Sequence, residues 1–189
     1  DVMDKDVIIL GCGPTRIECQ YQHETWGVNG AFNFATRLDK LFFTDEDCEV
    51  EATQYDYVAI KKLNPVLVFP MVYPKFKDKG FNIEIYPFDQ IVKKFKTHFF
   101  SNTIAYMLAY ALFHEYENIY FYGIDMLTHS TYFQEKGGVE FWMGIAKGMS
   151  VERVACGLPP IRVINTKGSA TGKTWNGKMY GYYGQREEE

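Results

Sequence analysis

The sequence predicts an α/β protein with a Rossmann-like, open and mostly parallel sheet that carries helices on both faces. Three observations lead to this prediction. Short apolar runs bounded by turn residues recur along the chain, and helical patterns separate them. Most of these runs are continuously apolar, as in strands that are covered on both faces. Glycines follow the first run directly, at the edge where such sheets bind their ligands.

Seven short runs predict the strands. Residues 7–10 are Val-Ile-Ile-Leu, a buried-strand pattern that ends directly at Gly11. Because turn residues bound each of the other runs, we expect one strand from each. In chain order these further strands are predicted at 25–29, 40–45, 65–70, 82–86, 118–122 and 161–164.

Helical patterns lie between the predicted strands. The clearest covers 102–114, where Asn102 or Ser101 is suited to cap the helix. Gly137 and Gly138 predict a hinge before the last helix. The remaining helices are predicted within 46–63, at 89–96 and at 139–147.

Length and composition bound the domain organisation. The chain has 189 residues, of which 47% are hydrophobic, enough for one core and too many for a chain that is disordered as a whole. We expect one Rossmann-like domain over 1–165. Residues 166–189 contain five glycines among lysines and aromatic residues, which predicts a glycine-rich flap or tail.

Charge and cysteine usage narrow the class of protein. Twenty Lys and Arg stand against 24 Asp and Glu, and a net charge of −4 argues against broad nucleic-acid binding. No apolar run reaches the roughly 18 residues of a membrane span, so none is expected. The four cysteines form no C-x-x-C pair and no signal-peptide pattern is present, so we expect reduced thiols in a cytoplasmic protein.

The first candidate site is the turn after the first strand, Gly-Cys-Gly-Pro-Thr-Arg at 11–16. Gly11 and Gly13 let the backbone approach a ligand, and the amides that follow are suited to face a phosphate. Pro14 is suited to start a helix. Because a third glycine is absent, this is not a G-x-G-x-x-G fingerprint, and a purely structural tight turn is the alternative.

Three residues near other predicted strand ends are further candidates. Asn29 is suited to bond a base, ribose or sugar hydroxyl, although Asn-Gly is also a common turn pair. Asp125 follows the strand at 118–122 and is placed to hold ribose hydroxyls, a metal or an acceptor, or to form a turn. His129 in the same loop is a candidate general base, with an exposed loop histidine as the alternative.

Two other features of the sequence bear on phosphate binding and on metal binding. Residues 167–174 are similar to a phosphate-binding P-loop but one residue short in spacing, and a mobile basic flap over an anionic ligand is the preferred interpretation. The four histidines are scattered and no Cys/His cluster is present. We therefore expect no metal cofactor.

Several segments, taken in order, carry a family resemblance. They are VIILGCGPT at 7–15, the strand end at 28–29, the helix start NTIAYM at 102–107 and IYFYGID at 119–125. This order resembles glycosyltransferase family 42, small bacterial sialyltransferases with a Rossmann-like fold. It is also similar to the wider group of DUF115-type proteins, which includes archaeal pterin pyrophosphokinase-like members.

The resemblance implies a pocket for a nucleotide or nucleotide-sugar, of the CMP-sugar class, and an acceptor that it does not identify. It implies that Asp125 belongs to the motif at the strand end and that Tyr132 lies near a tyrosine that assists the leaving phosphate. The residues that it implies for nucleotide binding are Gly11, Cys12, Gly13, Pro14, Thr15, Asn29, Asn102, Thr103 and Gly123.

Three positions depart from the family's pattern. Cys12 stands in place of the motif asparagine, and Leu127 in place of the first of two phosphate-facing tyrosines. The segment that carries the family's catalytic-base histidine has no counterpart between Phe133 and Val139, which leaves His129 as the nearby substitute. Nucleotide binding depends less on these positions than group transfer does.

Three functional hypotheses follow from the sequence. In a glycosyltransferase-like enzyme, His129 or Asp125 is the base, and Tyr132 or Lys173 offsets the charge of the leaving group. A non-catalytic protein that senses or sequesters a nucleotide is the second hypothesis. A pyrophosphokinase-like enzyme is the third and requires Mg²⁺. The expected partner is a small-molecule nucleotide, and the sequence leaves a homo-oligomer open.

Overall fold

The computed structural model describes residues 5–44, 56–127 and 130–173 of the chain. Their seven strands form a single sheet in which every paired strand is parallel. The order across the sheet is β5-β4-β3-β2-β1-β6-β7, so the winding direction reverses between β1 and β6. The strands are β1 (Asp6–Leu10), β2 (Glu24–Val28), β3 (Lys40–Phe42), β4 (Val66–Phe69), β5 (Ile83–Ile85), β6 (Asn118–Tyr122) and β7 (Arg162–Ile164).

This sheet confirms the predicted α/β class and the predicted strand positions. The strand at 118–122 has its predicted bounds, and the others differ by one to three residues at an end. The differences arise because polar or turn residues next to an apolar run join or leave the ladder according to their neighbours, which the run itself does not specify.

Five α-helices and two 3₁₀ helices connect the described strands. The α-helices are α1 (Tyr57–Leu63), α2 (Pro74–Lys77), α3 (Phe88–Phe95), α4 (Thr103–Phe113) and α5 (Ser130–Ala155), and the 3₁₀ helices are Pro14–Glu18 and Asn29–Asn33. The helix expected within 46–63 is described only from Asp56, which caps α1 through the amides of Val58 and Ala59 at 2.9 and 3.0 Å. Residues 45–55 lie outside the described part.

Two layers of apolar side chains cover the sheet. Trp26 and Phe42 lie on the face that carries α4 and α5, whereas Ile8, Leu41 and Phe69 lie on the other face. α4 is buried on nearly all sides because it lies between the sheet and α5. None of the described helices is long and apolar enough to cross a membrane.

The prediction of a hinge at Gly137 and Gly138 is wrong. Both lie inside α5, a continuous helix of 26 residues, where 139–147 was expected. Gly138 serves close packing, because a Cβ there would lie 1.9 Å from the Ser101 Oγ. The same hydroxyl donates to the Glu135 carbonyl at 2.7 Å, so the glycine lets α5 contact the chain before α4.

The first residues of the segment predicted as a flap pack against the loop after β6. Ser169 is buried, and its Oγ donates to the Ile124 carbonyl at 2.7 Å. The Ala170 amide donates to the Asp125 carbonyl at 2.9 Å. The division at residue 166 stays a prediction, and residues 174–189 lie outside the described part.

Candidate functional site

A cavity of about 650 Å³ opens at the carboxyl ends of β1, β2 and β6. This is the point where the strand order reverses, and open α/β sheets bind their ligands in the crevice at such a point. Eight of the nine residues that the family resemblance implies for nucleotide binding line it. These eight are Gly11, Cys12, Gly13, Pro14, Asn29, Asn102, Thr103 and Gly123.

Thr15, the ninth residue, lies behind the cavity wall and braces it. Its Oγ1 donates to Asp125 Oδ1 at 2.5 Å and accepts from the Gly123 amide at 2.9 Å. Its own amide donates to Asp125 Oδ2 at 2.9 Å. Both carboxylate oxygens of Asp125, which is only 4% exposed, therefore accept hydrogen bonds from Thr15. The pair joins the loop after β1 to the loop after β6.

Glycines let these two loops touch. A Cβ on Gly11 would lie 2.4 Å from the Gly123 carbonyl oxygen, and one on Gly123, at φ +68°, would lie 2.4 Å from the Gly11 oxygen. The Gly11 and Gly13 amides donate to the carbonyls of Tyr122 and Gly123, each at 2.8 Å. These two amides thus hold the loops together, whereas the sequence suggested that the glycines serve close approach of a ligand.

Cys12 presents its side chain at the cavity. Its Sγ lies 3.9 Å from the Val28 carbonyl oxygen. Partial burial raises the pKa of the Cys12 thiol above its ordinary value, and the positive charge of Arg16 opposes that rise. The guanidinium of Arg16 donates to the carbonyls of Cys12 and Gly13 at 2.9 and 3.2 Å, which fixes the turn from its outer side.

Asn29 combines the two roles that the sequence left open. Its φ of +43° places it in the left-handed region, where asparagine is favoured over most residues, and it begins the 3₁₀ helix Asn29–Asn33. It also lines the cavity. Thus a turn residue at the end of β2 is at the same time a candidate ligand contact.

The start of α4 forms the opposite wall. Asn102 caps the helix, since its Oδ1 accepts from the Ala105 amide at 2.9 Å, which confirms the predicted cap. Its Nδ2 donates to Glu135 Oε2 at 3.4 Å. Thr103 Oγ1 lies 2.8 Å from Thr44 Oγ1. The polar groups of this wall are therefore already ordered by contacts within the chain.

Glu135 is a charged wall residue that the sequence did not indicate as part of the site. It lies in the second turn of α5, four residues before position 139, where the helix was predicted to begin. A carboxylate four residues before Val139 would have become a candidate if the helix had been extended back to Ser130. Its contact with Asn102 joins residues 33 positions apart, which no local pattern indicates.

The described lining is acidic. Asp125 and Glu135 are its charged residues, and the described lining contains no Lys, Arg or His. A phosphate in this cavity would therefore depend on backbone amides and on the N-terminal end of α4, where the helix dipole favours an anion. Because the carboxylates of the lining repel negative charge, such a site suits a ligand with one phosphate group better than a triphosphate.

The structure describes only part of the predicted catalytic residues. His129 lies outside the described residues, as does the side chain of Tyr132, whose backbone belongs to α5. Within the P-loop-like segment, Lys173 Nζ donates to the Lys167 carbonyl at 2.7 Å, and no described residue of that segment lines the cavity. No three described His, Cys, Asp or Glu side chains are grouped as a metal ion would require.

Solved structures with a similar fold are sialyltransferases. No family model matches the chain, and no curated protein matches it. The sialyltransferase CST-II in complex with a trisaccharide acceptor and CMP has a TM-score of 0.53 and 17% identity, with 85% of this chain and 80% of that chain covered. A CST-II variant in complex with CMP has a TM-score of 0.54, 15% identity and the same coverage.

A third similar structure is CstII from Campylobacter jejuni in complex with the substrate analogue CMP-3FNeuAc. Its TM-score is 0.52 and its identity 14%, over 85% of this chain and 79% of that chain. At these identities the comparison establishes a shared Rossmann-like fold.

Proposed function

We propose that the chain binds a nucleotide-sugar, of the CMP-sugar class, in the 650 Å³ cavity and acts as a glycosyltransferase-like transferase. The observation that supports the proposal most is the convergence of three separate strand-end segments on this one cavity. The volume lies within the range of about 300–1,000 Å³ that is usual for small-molecule sites. Proteins of similar fold bind CMP or a CMP-sugar analogue.

In this proposal Asp125 is a positioning residue. Both Asp125 oxygens accept from Thr15 and the residue is only 4% exposed, so its carboxylate is held by the scaffold and little of it is open to an acceptor hydroxyl. Glu135 is then the described carboxylate best suited to take a proton from an acceptor hydroxyl, because its one described side-chain contact is the 3.4 Å bond from Asn102. His129 and Tyr132 stay predicted catalytic residues.

A non-catalytic nucleotide-binding protein is the second candidate. The engagement of Asp125 by Thr15 favours it, because a described acidic group at the strand ends serves the scaffold instead of proton transfer. A protein that only binds a nucleotide needs no catalytic base. A pyrophosphokinase-like enzyme needs acidic residues grouped around Mg²⁺, for which the sequence offers Asp45, Asp47 and Asp125. Asp125 is held by Thr15, and Asp45 and Asp47 lie outside the described residues.

Calorimetric titration with CMP, UMP, AMP and a CMP-sugar, with and without Mg²⁺, tests the proposal. We expect one nucleotide family to bind without metal. Cys12→Phe fills the cavity mouth and should weaken that binding at least about tenfold, equivalent to about 1.4 kcal/mol. The matched control is Cys156→Phe, at an exposed cysteine away from the cavity, which should bind like the unmodified protein.

Two results of this titration would contradict the proposal. One is absence of binding by every nucleotide at millimolar concentration. The other is binding that Cys12→Phe and Cys156→Phe affect equally, because the ligand would then occupy another place. Release of free sugar or transfer to a glycan by the bound CMP-sugar would favour the transferase over the non-catalytic candidate.

A further inference from the structure

α5 carries an apolar stripe on the side opposite to its buried face. Val139, Trp142, Ala146 and Ser150 face the core. On the other side, six exposed and uncharged residues recur at intervals of three and four, with the exposed Lys147 and Glu152 on the two flanks. We call these residues the α5 stripe: Gly137, Phe141, Gly144, Gly148, Val151 and Ala155.

Three glycines of the stripe have no packing partner among the described residues. A Cβ on Gly137, Gly144 or Gly148 would meet nothing within 4 Å, in contrast to Gly138, which packs against Ser101. Glycine is the least favourable residue in a helix interior after proline. Three unexplained glycines next to an exposed Phe141 and a 63% exposed Val151 indicate a surface that is shaped for close approach of another element.

The stripe is symmetric about position 146 in the sizes of its side chains. Counted from position 146, glycines stand two residues away at 144 and 148, bulky apolar residues five away at 141 and 151, and small residues nine away at 137 and 155. A two-fold interface must be self-complementary in this way, because each patch contacts a copy of itself. Two crossing helices approach most closely at one point and diverge on either side.

We propose that the α5 stripe is a homodimer interface in which α5 packs antiparallel against α5 of a second copy. Gly144 and Gly148 lie at the crossing point, and Phe141 of each copy fills the widening gap against Val151 of the other.

The size of the stripe fits a reversible dimer. Residues 137–155 span about 27 Å at 1.5 Å per residue, and a helix face of that length buries on the order of 500 Å² on each copy. Phe99, whose ring lies 5.3 Å from that of Phe141, extends the apolar surface at one end. A total near 1,000 Å² is at the lower limit for a specific interface, so we expect a dissociation constant of about 1–100 µM.

Sedimentation velocity of the full chain over a concentration series tests this proposal. The unmodified protein should pass from monomer to dimer within that range. Val151→Arg should weaken association more than about 30-fold, because a two-fold dimer contains each substitution twice. Val58→Arg on α1 is the matched control, since Val58 is also an exposed helical valine, at 78%, and should leave the dimer unchanged.

Gly148→Ala gives a second test that does not depend on introducing a charge. In a monomer the substitution should raise the melting temperature, because alanine favours helix and the site is open. At the dimer interface it should weaken association, because the added methyl separates the crossing helices. A protein that stays monomeric at all concentrations, or a dimer that neither Val151→Arg nor Gly148→Ala weakens, would overturn the proposal.

Discussion

At the scale of single residues, the contact between Thr15 and Asp125 determines the shape of the cavity. The two residues are 110 positions apart, and three hydrogen bonds tie them and Gly123 together in a buried place. The sequence indicated each residue as a candidate ligand contact. It could not indicate that they contact each other, because that depends on β1 and β6 being neighbours in the sheet.

Thr15→Val should therefore destabilise the protein without its ligand. The substitution keeps the shape but removes the hydroxyl, so that Asp125 loses a donor and the Gly123 amide loses its acceptor. We expect a loss of about 2–4 kcal/mol in the free energy of unfolding measured in urea. Thr15→Ser keeps the hydroxyl and should lose less than half as much. Equal stability of Thr15→Val and the unmodified protein would show that the hydrogen bonds of the Thr15 hydroxyl with Asp125 and Gly123 are not formed.

Glu135→Gln separates binding from turnover. The amide is similar in size and keeps the contact with Asn102, so the dissociation constant for CMP should change less than about threefold. If Glu135 takes the acceptor proton, turnover of a CMP-sugar should fall by about 10²–10⁴-fold. Glu152→Gln, at an exposed position on the same helix, is the control. Unchanged turnover in Glu135→Gln would exclude this role.

At the scale of secondary-structure elements, strands were easier to predict than the last helix. A buried strand in a parallel sheet is a continuous apolar run, and residues 7–10 and 119–122 form such runs without any tertiary information. α5 contains four glycines, which locally favour a break. It continues through them because its buried face packs on α4, and that contact also brings Glu135 to the cavity.

Gly138→Ala tests why that helix contains a glycine next to α4. A methyl group there would lie 1.9 Å from Ser101 Oγ, so the substitution should destabilise the protein even though alanine favours helix. We expect a loss of about 1–3 kcal/mol by thermal or urea unfolding. Ser101→Gly in the same chain removes the clash and should recover part of the loss. A higher melting temperature for Gly138→Ala would contradict this packing.

At the scale of the whole molecule, the strand order places the site. The winding direction reverses between β1 and β6, and the loops after β1, β2 and β6 meet the start of α4 at that point. The position of the cavity could be predicted from the sequence, because the carboxyl edge of a parallel sheet follows from the chain direction. Its acidic lining could not, because Glu135 reaches it through the packing of α5.

Protection of Cys12 from alkylation is the sharpest test of whether this cavity binds a nucleotide. Cys12 lines the cavity, whereas Cys156 is exposed outside it and provides an internal control. Iodoacetamide labelling of the unmodified protein, with and without CMP, is followed by mass spectrometry of both cysteines. We expect CMP to slow the labelling of Cys12 at least about fivefold at saturation while Cys156 reacts at an unchanged rate. Equal labelling of Cys12 with and without every nucleotide tested would show that no nucleotide occupies the cavity.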